Sequence, residues 1–271
     1  MRPGQGLSPS PTFVRFALLR FAAACVCLSL AGCATTASRT VPLADSSTVM
    51  SVDVGGETIN LAPIEGWCVL PKEDARDLVE AAGPEVEIHA IFADCDELKA
   101  GVAHKDLQRF GVVGTPNDLL TLDIGDDRAA FVAEAARQLG DFDLTDVFRE
   151  AQDQALSEMD EEMAALKKEG LTLHVEDPAN LGEVAQDSAA VYYGVLQRVQ
   201  VTGRGLSVER SIVTLFGVTE IGRRTLLLCI QSQFEDGAPS HDRASVETVL
   251  SQARAQIARL IELNPDRGMA I

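Results

Sequence analysis

The sequence predicts an α+β fold, an antiparallel sheet packed against helices in a two-layer sandwich. Three observations predict it. Short alternating apolar runs open the chain's globular part, and helical periodicity follows them. Residues 188–234 then read as a β-meander that holds the continuous apolar run Leu226–Ile230. An amphipathic helix closes the chain and stops at Asn264-Pro265.

The elements follow in order. Val52-Asp53-Val54-Gly55-Gly56-Glu57-Thr58-Ile59 is a hairpin signal, two alternating runs around a Gly-Gly pair. Trp67–Leu70 is a short strand ended by Pro71. Ala75, Leu78, Val79 and Ala82 share one face of a helix over 73–82, stopped by Gly83-Pro84. Val86, Ile88, Ala90 and Phe92 alternate, which makes 85–93 a strand with Glu87 and His89 on its other face. Residues 119–124 read as a further strand. Residues 127–139 and 144–169 are helical, with Leu144, Val147, Phe148, Ala151, Ala155, Met159, Met163 and Leu166 at helical spacing. The other face of the second stretch carries Asp153, Glu158, Asp160, Glu161 and Glu162. It is either a docking surface or, more simply, a solvated helix face. Leu171, Leu173 and Val175 alternate as a strand. The strands over 206–217 and 224–234 pair across Thr219-Glu220-Ile221-Gly222. The last helix, 242–263, sets Val246, Val249, Leu250, Ala253, Ile257, Leu260 and Ile261 against the core.

Ahead of this domain lies a leader. Residues 1–20 carry Arg2, Arg15 and Arg20 and no acid, and 21–32 are an unbroken run of apolar and small residues. A basic segment before such a run is the pattern of a signal peptide, and the run is shorter than the roughly 20 residues a membrane span needs. It ends in Leu30-Ala31-Gly32-Cys33, which resembles the lipobox of bacterial lipoproteins. The resemblance implies cleavage before Cys33 and diacylglycerol on its thiol. It also implies a fatty acid such as palmitate on the new amine. Ala34, rather than Asp, then favours the outer over the inner membrane, on the periplasmic side. Residues 33–48 read as a flexible tether and 49–265 as a single globular domain.

The domain's element order also resembles the PsbP-like fold. The segments that carry the likeness are Glu65-Gly66-Trp67-Cys68, the meander 188–234 and the helix ending Leu260-Ile261-Glu262-Leu263-Asn264. Residues 125–170 form an extra helical region beyond that pattern. More narrowly, Pro63-Ile64-Glu65-Gly66-Trp67-Cys68 together with Ala93-Asp94-Cys95-Asp96-Glu97-Leu98 is similar to uncharacterised bacterial exported proteins, which implies no activity.

Cysteine use follows from the leader. Cys25 and Cys27 leave with it and Cys33 takes the lipid, so Cys68, Cys95 and Cys229 remain in an oxidising compartment. Cys229 sits inside an apolar strand and behaves as a small hydrophobe. Cys68 and Cys95 lie at strand ends, and a Cys68–Cys95 disulfide is expected over other pairings or a reduced state. It would stabilise by about 3 kcal/mol through loop closure.

Charge narrows the partners. The formal net charge is -18, and the leader carries three basic residues and none of the acidic ones, so processing leaves a more acidic chain. Such a surface repels nucleic acid and anionic headgroups, so the expected partners are the membrane, through the Cys33 lipid, and a basic envelope protein. The chemistry-bearing residues form no recognisable motif. His89 and His174 stand beside Glu87 and Glu176 without metal-ligand spacing, and His104 and His241 fall in polar loops. Asp94 and Asp96, and Asp123, Asp126 and Asp127, could clamp calcium, but they lack EF-hand register and read more simply as turn acids. Arg223-Arg224 could hold an anion, or guard the apolar strand beside it. Nucleophile-elbow, P-loop and dinucleotide fingerprints are missing from the sequence. The expected function is therefore a lipid-anchored, non-catalytic accessory or scaffold without cofactor. The rival readings are a small-ligand or calcium-binding module and a hydrolase with dispersed catalytic residues.

Overall fold

The computed structural model describes residues 48–265 apart from 74, 77–78, 80–84, 103–106, 141–144, 159–163, 165–166 and 236–238. Among these, the strands are β1 (Met50–Val54), β2 (Glu57–Leu61), β3 (Trp67–Leu70), β4 (Val86–Asp94), β5 (Arg109–Pro116), β6 (Thr172–Val175), β7 (Ala179–Gln186), β8 (Val191–Gly203), β9 (Leu206–Ile221) and β10 (Arg224–Phe234). The helices are α1 (Cys95–Lys99), α2 (Arg128–Leu139), α3 (Thr145–Glu158) and α4 (Asp242–Leu263). The class is α+β, and the strand pairs are antiparallel. None of the described helices is long and apolar enough to cross a membrane.

One eight-stranded sheet runs in the order β3-β4-β5-β10-β9-β8-β6, and β7 also pairs with β8. The long β8 takes β7 along residues 191–196 and β6 along 199–202. β10 lies centrally, between β5 and β9, so the run Leu226–Ile230 is buried on both faces. Its odd and even residues split between two cores. Leu227 and Cys229 join Val132, Ala135, Ala136 and Leu139 of α2. Leu226, Leu228 and Ile230 join Val249, Ala253, Ile257 and Leu260 of α4. The sheet is therefore covered on both faces, and the two-layer expectation gives way to three layers. The cause is the period of two in a strand: a buried central strand needs an apolar partner on each side.

The β1–β2 hairpin forms its own two-stranded sheet and lies on the α4 side, where Val54, Ile59 and Leu61 are buried. Its turn is Gly55-Gly56, both at positive φ.

Other expectations shift. Residues 119–124 are not a strand: a 3₁₀ turn spans Asn117–Leu119, and an irregular loop follows. The strand in that region is β5, whose Gly111, Gly114 and Pro116 hide its propensity. At Gly111 a Cβ would come within 3.1 Å of the Trp67 ring, a tight approach that the ring would have to yield to. β7 also escapes sequence pattern, since two bulges break its alternation. β9 runs through Ile221, which moves the meander turn to Gly222-Arg223. The helix read over 73–82 falls largely outside the described residues. So do the side chains of the apolar stripe from Leu144 to Leu166, and Asp160, Glu161 and Glu162 of the acidic face. Asp153 is exposed.

Candidate functional site

A strand, two loops and the end of α4 meet at one edge of the molecule. The pieces are the start of β2, the loop 120–127, and the β9–β10 turn, all beside Leu263–Pro265. They enclose a cleft of about 470 Å³, within the size range of ligand sites.

The β9–β10 turn is a two-residue turn with Gly222 and Arg223 both at positive φ, as a tight hairpin of right-handed strands requires. A Cβ at Gly222 would lie 2.7 Å from Ile59 Cδ1, so the end of that side chain would have to shift. The Arg223 side chain reaches across to Asp123: Nε lies 3.1 and 3.2 Å from the two carboxylate oxygens and Nη2 donates at 2.8 Å. The guanidinium lowers the Asp123 carboxyl below its usual range. Arg224 turns the other way and donates to the main-chain carbonyls of Val54, Gly55 and Thr121. It thereby pins the β1–β2 turn and the 120–127 loop to the sheet. Both arginines thus serve the packing of this edge. Buried Glu220 accepts the Arg223 N–H on Oε1, and its other oxygen lies 3.4 Å from Arg128 Nε. Arg128 also donates to the Glu220 carbonyl at 2.8 Å.

Beside the cleft, side-chain amides at the end of α4 and within it bond to β2 and the chain after it. Asn264 Oδ1 accepts the Asn60 N–H and its Nδ2 donates to the carbonyls of Asn60 and Leu260. One helical face earlier, buried Gln256 accepts the Ile64 N–H and donates to the Ala62 carbonyl. β2 and the chain after it are thus paired along one edge with amides from a helix rather than with another strand. The sequence gives no local sign of this, because amides on a helix otherwise read as solvent-facing.

The residues singled out from sequence are dispersed. Asp94 caps α1 through the N–H groups of Asp96 and Glu97 and holds Arg109 at 2.6 Å. Asp96 is exposed and pairs with Lys99. Burial pushes the Glu97 carboxyl up, while the Gln108 N–H donated to it at 2.8 Å pulls it back. Asp123 accepts the Gly125 N–H as well as Arg223, and Asp127 caps α2 through Ala130 N–H. Asp126 lines the cleft. These acids act mainly as caps and turn acids, and no group of three or more metal-ligating side chains occurs among the described residues.

His89 overturns its expected place on a solvated strand face. A β-bulge between Ile88 and Ala90 inserts it as an extra residue, and it is 1% exposed. Thr115 Oγ1 donates to the Thr225 carbonyl at 3.0 Å, so His89 Nε2, at 2.9 Å, donates to the hydroxyl oxygen. Burial, aided by Lys72, lowers the imidazole to about 4. His174 and His241 are exposed, and His104 falls outside the described residues. Cys68 and Cys95 are joined in a disulfide, with their Cα atoms 5.0 Å apart. Cys229 is buried within β10. Cys33 falls outside the described residues.

No protein-family profile matches the chain, and no curated protein matches it. Among solved structures, the di-domain ARO/CYC StfQ from the steffimycin biosynthetic pathway aligns at 11% identity over 92% of this chain and 95% of that one. Its TM-score is 0.17, a level at which the likeness carries no argument about fold or function.

Proposed function

We propose that this chain is a lipid-anchored, non-catalytic protein of the bacterial cell envelope. It is held on the periplasmic side, at the outer membrane, and serves as an accessory or scaffold for an envelope complex. The observation that carries the reading is Leu30-Ala31-Gly32-Cys33 at the end of a basic-then-apolar leader. Two features of the fold support it. The Cys68–Cys95 bond suits an oxidising compartment. The ionisable groups with the most suggestive chemistry, His89, Asp94 and Glu220, are buried in internal bonds that hold strands and caps. An acidic domain is repelled by anionic headgroups, so the lipid supplies the attachment.

The test is metabolic labelling with a palmitate analogue in a Gram-negative host that expresses the full chain. Label should enter the wild type in the membrane fraction and be lost in Cys33→Ala. Wild-type protein recovered unlabelled and soluble would refute the anchor. Crosslinking in intact cells then tests the scaffold role, which predicts a stoichiometric protein partner. Recovery of the monomer alone would argue against that role.

A further inference from the structure

We infer that the start of α4 binds one buried water, held between the Ser211 hydroxyl of β9 and the Asp242 carboxylate of the helix. This does not depend on the lipid anchor. Strand register brings the two together. Ser211 stands opposite Arg198 on β8 and Phe234 on β10, and partners across an antiparallel ladder share a face. Leu196, Val213 and Phe234 pack in the core of α4, so Ser211 points beneath that helix. Its neighbour Arg198 reaches the first residue of the helix. The guanidinium pairs with Asp242 Oδ2, and with Glu176 at 3.5 Å. Ser211 and the first turn of α4 thus meet in one place.

Two buried polar atoms there lack partners. Ser211 is 1% exposed, and its Oγ has no hydrogen-bond partner among the described residues. Asp242 Oδ1 is buried and also has none among them, since Arg198 engages the other oxygen. The His241 side chain at the N-cap makes no capping bond to the helix. Charge decides what fits. An anion would meet the carboxylates of Asp242 and Glu176. A cation would meet Arg198 and the positive end of a 22-residue helix. A small neutral group that both donates and accepts serves both atoms. It donates to Asp242 Oδ1, which only accepts, and accepts the Ser211 O–H. A buried water makes about three hydrogen bonds. Ser245, 5% exposed and one turn into α4, is placed to supply the third.

The test is a crystal structure of the full chain in detergent, with equilibrium unfolding in urea beside it. One water within hydrogen-bond distance of both Ser211 Oγ and Asp242 Oδ1 is expected. A direct Ser211–Asp242 bond, or the two oxygens served by separate groups, would overturn the inference. Ser211→Ala should raise the unfolding equilibrium constant about tenfold, because it takes one partner from the water and leaves the others less well held. A hydroxyl that bonds to nothing would instead be removed without loss. Ser207→Ala, at an exposed position on the same strand, should leave stability unchanged. Asp242→Ala should also destabilise. The double variant should lose less than the product of the two single effects, since both act through one water. Effects that simply multiply, a Ser211→Ala variant as stable as the wild type, or an equal loss in Ser207→Ala would each overturn the assignment.

Discussion

Asn264, the last residue of α4's cap, pairs with the main chain of Asn60 as a strand would. Its Oδ1 accepts the Asn60 N–H at 2.7 Å and its Nδ2 donates to the Asn60 carbonyl at 2.8 Å, 204 positions away in the chain. The same Nδ2 donates to the Leu260 carbonyl, so one amide ends the helix and docks the hairpin. Asn264→Ala should therefore destabilise by about 1–3 kcal/mol, since partly buried donors and acceptors lose their partners. Asn264→Asp keeps the acceptor but sets a negative charge against two carbonyls and a helix C-terminus. It should be no better than alanine. Denaturant midpoints check the order, and a midpoint unchanged in Asn264→Ala would show that the docking does not depend on the amide.

The Cys68–Cys95 bond closes a loop of sequence separation 27 and joins β3 to the start of α1. The chain-entropy estimate for such a loop is about 3 kcal/mol. Reduction, or Cys68→Ala with Cys95→Ala, should lower stability by that order without loss of the sheet. Peptide mapping under non-reducing conditions should recover the two cysteines as one linked species; free thiols at both would contradict the bond.

His89 sets a pH dependence with a definite sign. Its imidazole ionises near 4 in the folded chain and near 6.5 when unfolded. Between those values the unfolded chain binds the extra proton, so stability rises with pH through the window and falls as pH drops from 6.5 towards 4. The full effect is about 3 kcal/mol. Equilibrium unfolding at a series of pH values should show this slope in the wild type and a flatter one in His89→Gln, which retains a donor for Thr115. Equal slopes would mean that other groups set the acid response.

The hairpin turn offers a contrast of neighbours. Gly55 sits at φ +57°, and a Cβ there would lie 1.8 Å from the Leu120 carbonyl oxygen. Gly56 sits at φ +87° with nothing near its added Cβ. Gly56→Ala should cost only backbone strain, about 1 kcal/mol, whereas Gly55→Ala adds a clash with main chain and should cost at least about twice that. Arg224→Met removes three bonds to carbonyls at the same junction and should resemble Gly55→Ala. Melting curves decide it. If the two alanine variants melt together, the Gly55–Leu120 approach does not limit the fold.

Local pattern determined much of this molecule. The Gly-Gly hairpin, the strand Trp67–Leu70, the paired strands of the meander and the bounds Asp242–Leu263 of the last helix all follow from periodicity and turn chemistry. So does the α+β class, because alternation and helical spacing report which side of each element must be dry. Tertiary structure decided the rest. A single extra residue at the β4 bulge carried His89 from the solvated face it was expected on into the interior, since register in a strand has a period of two. β5 stayed hidden because its glycines lower strand propensity, and one of them, Gly111, lies against the Trp67 ring, a neighbour that belongs to another strand. The cleft arises where β2, the loop before α2, the meander turn and the end of α4 meet. Its most specific bonds join main chain to amides roughly two hundred residues away, and no window of sequence short enough to show a pattern contains both partners.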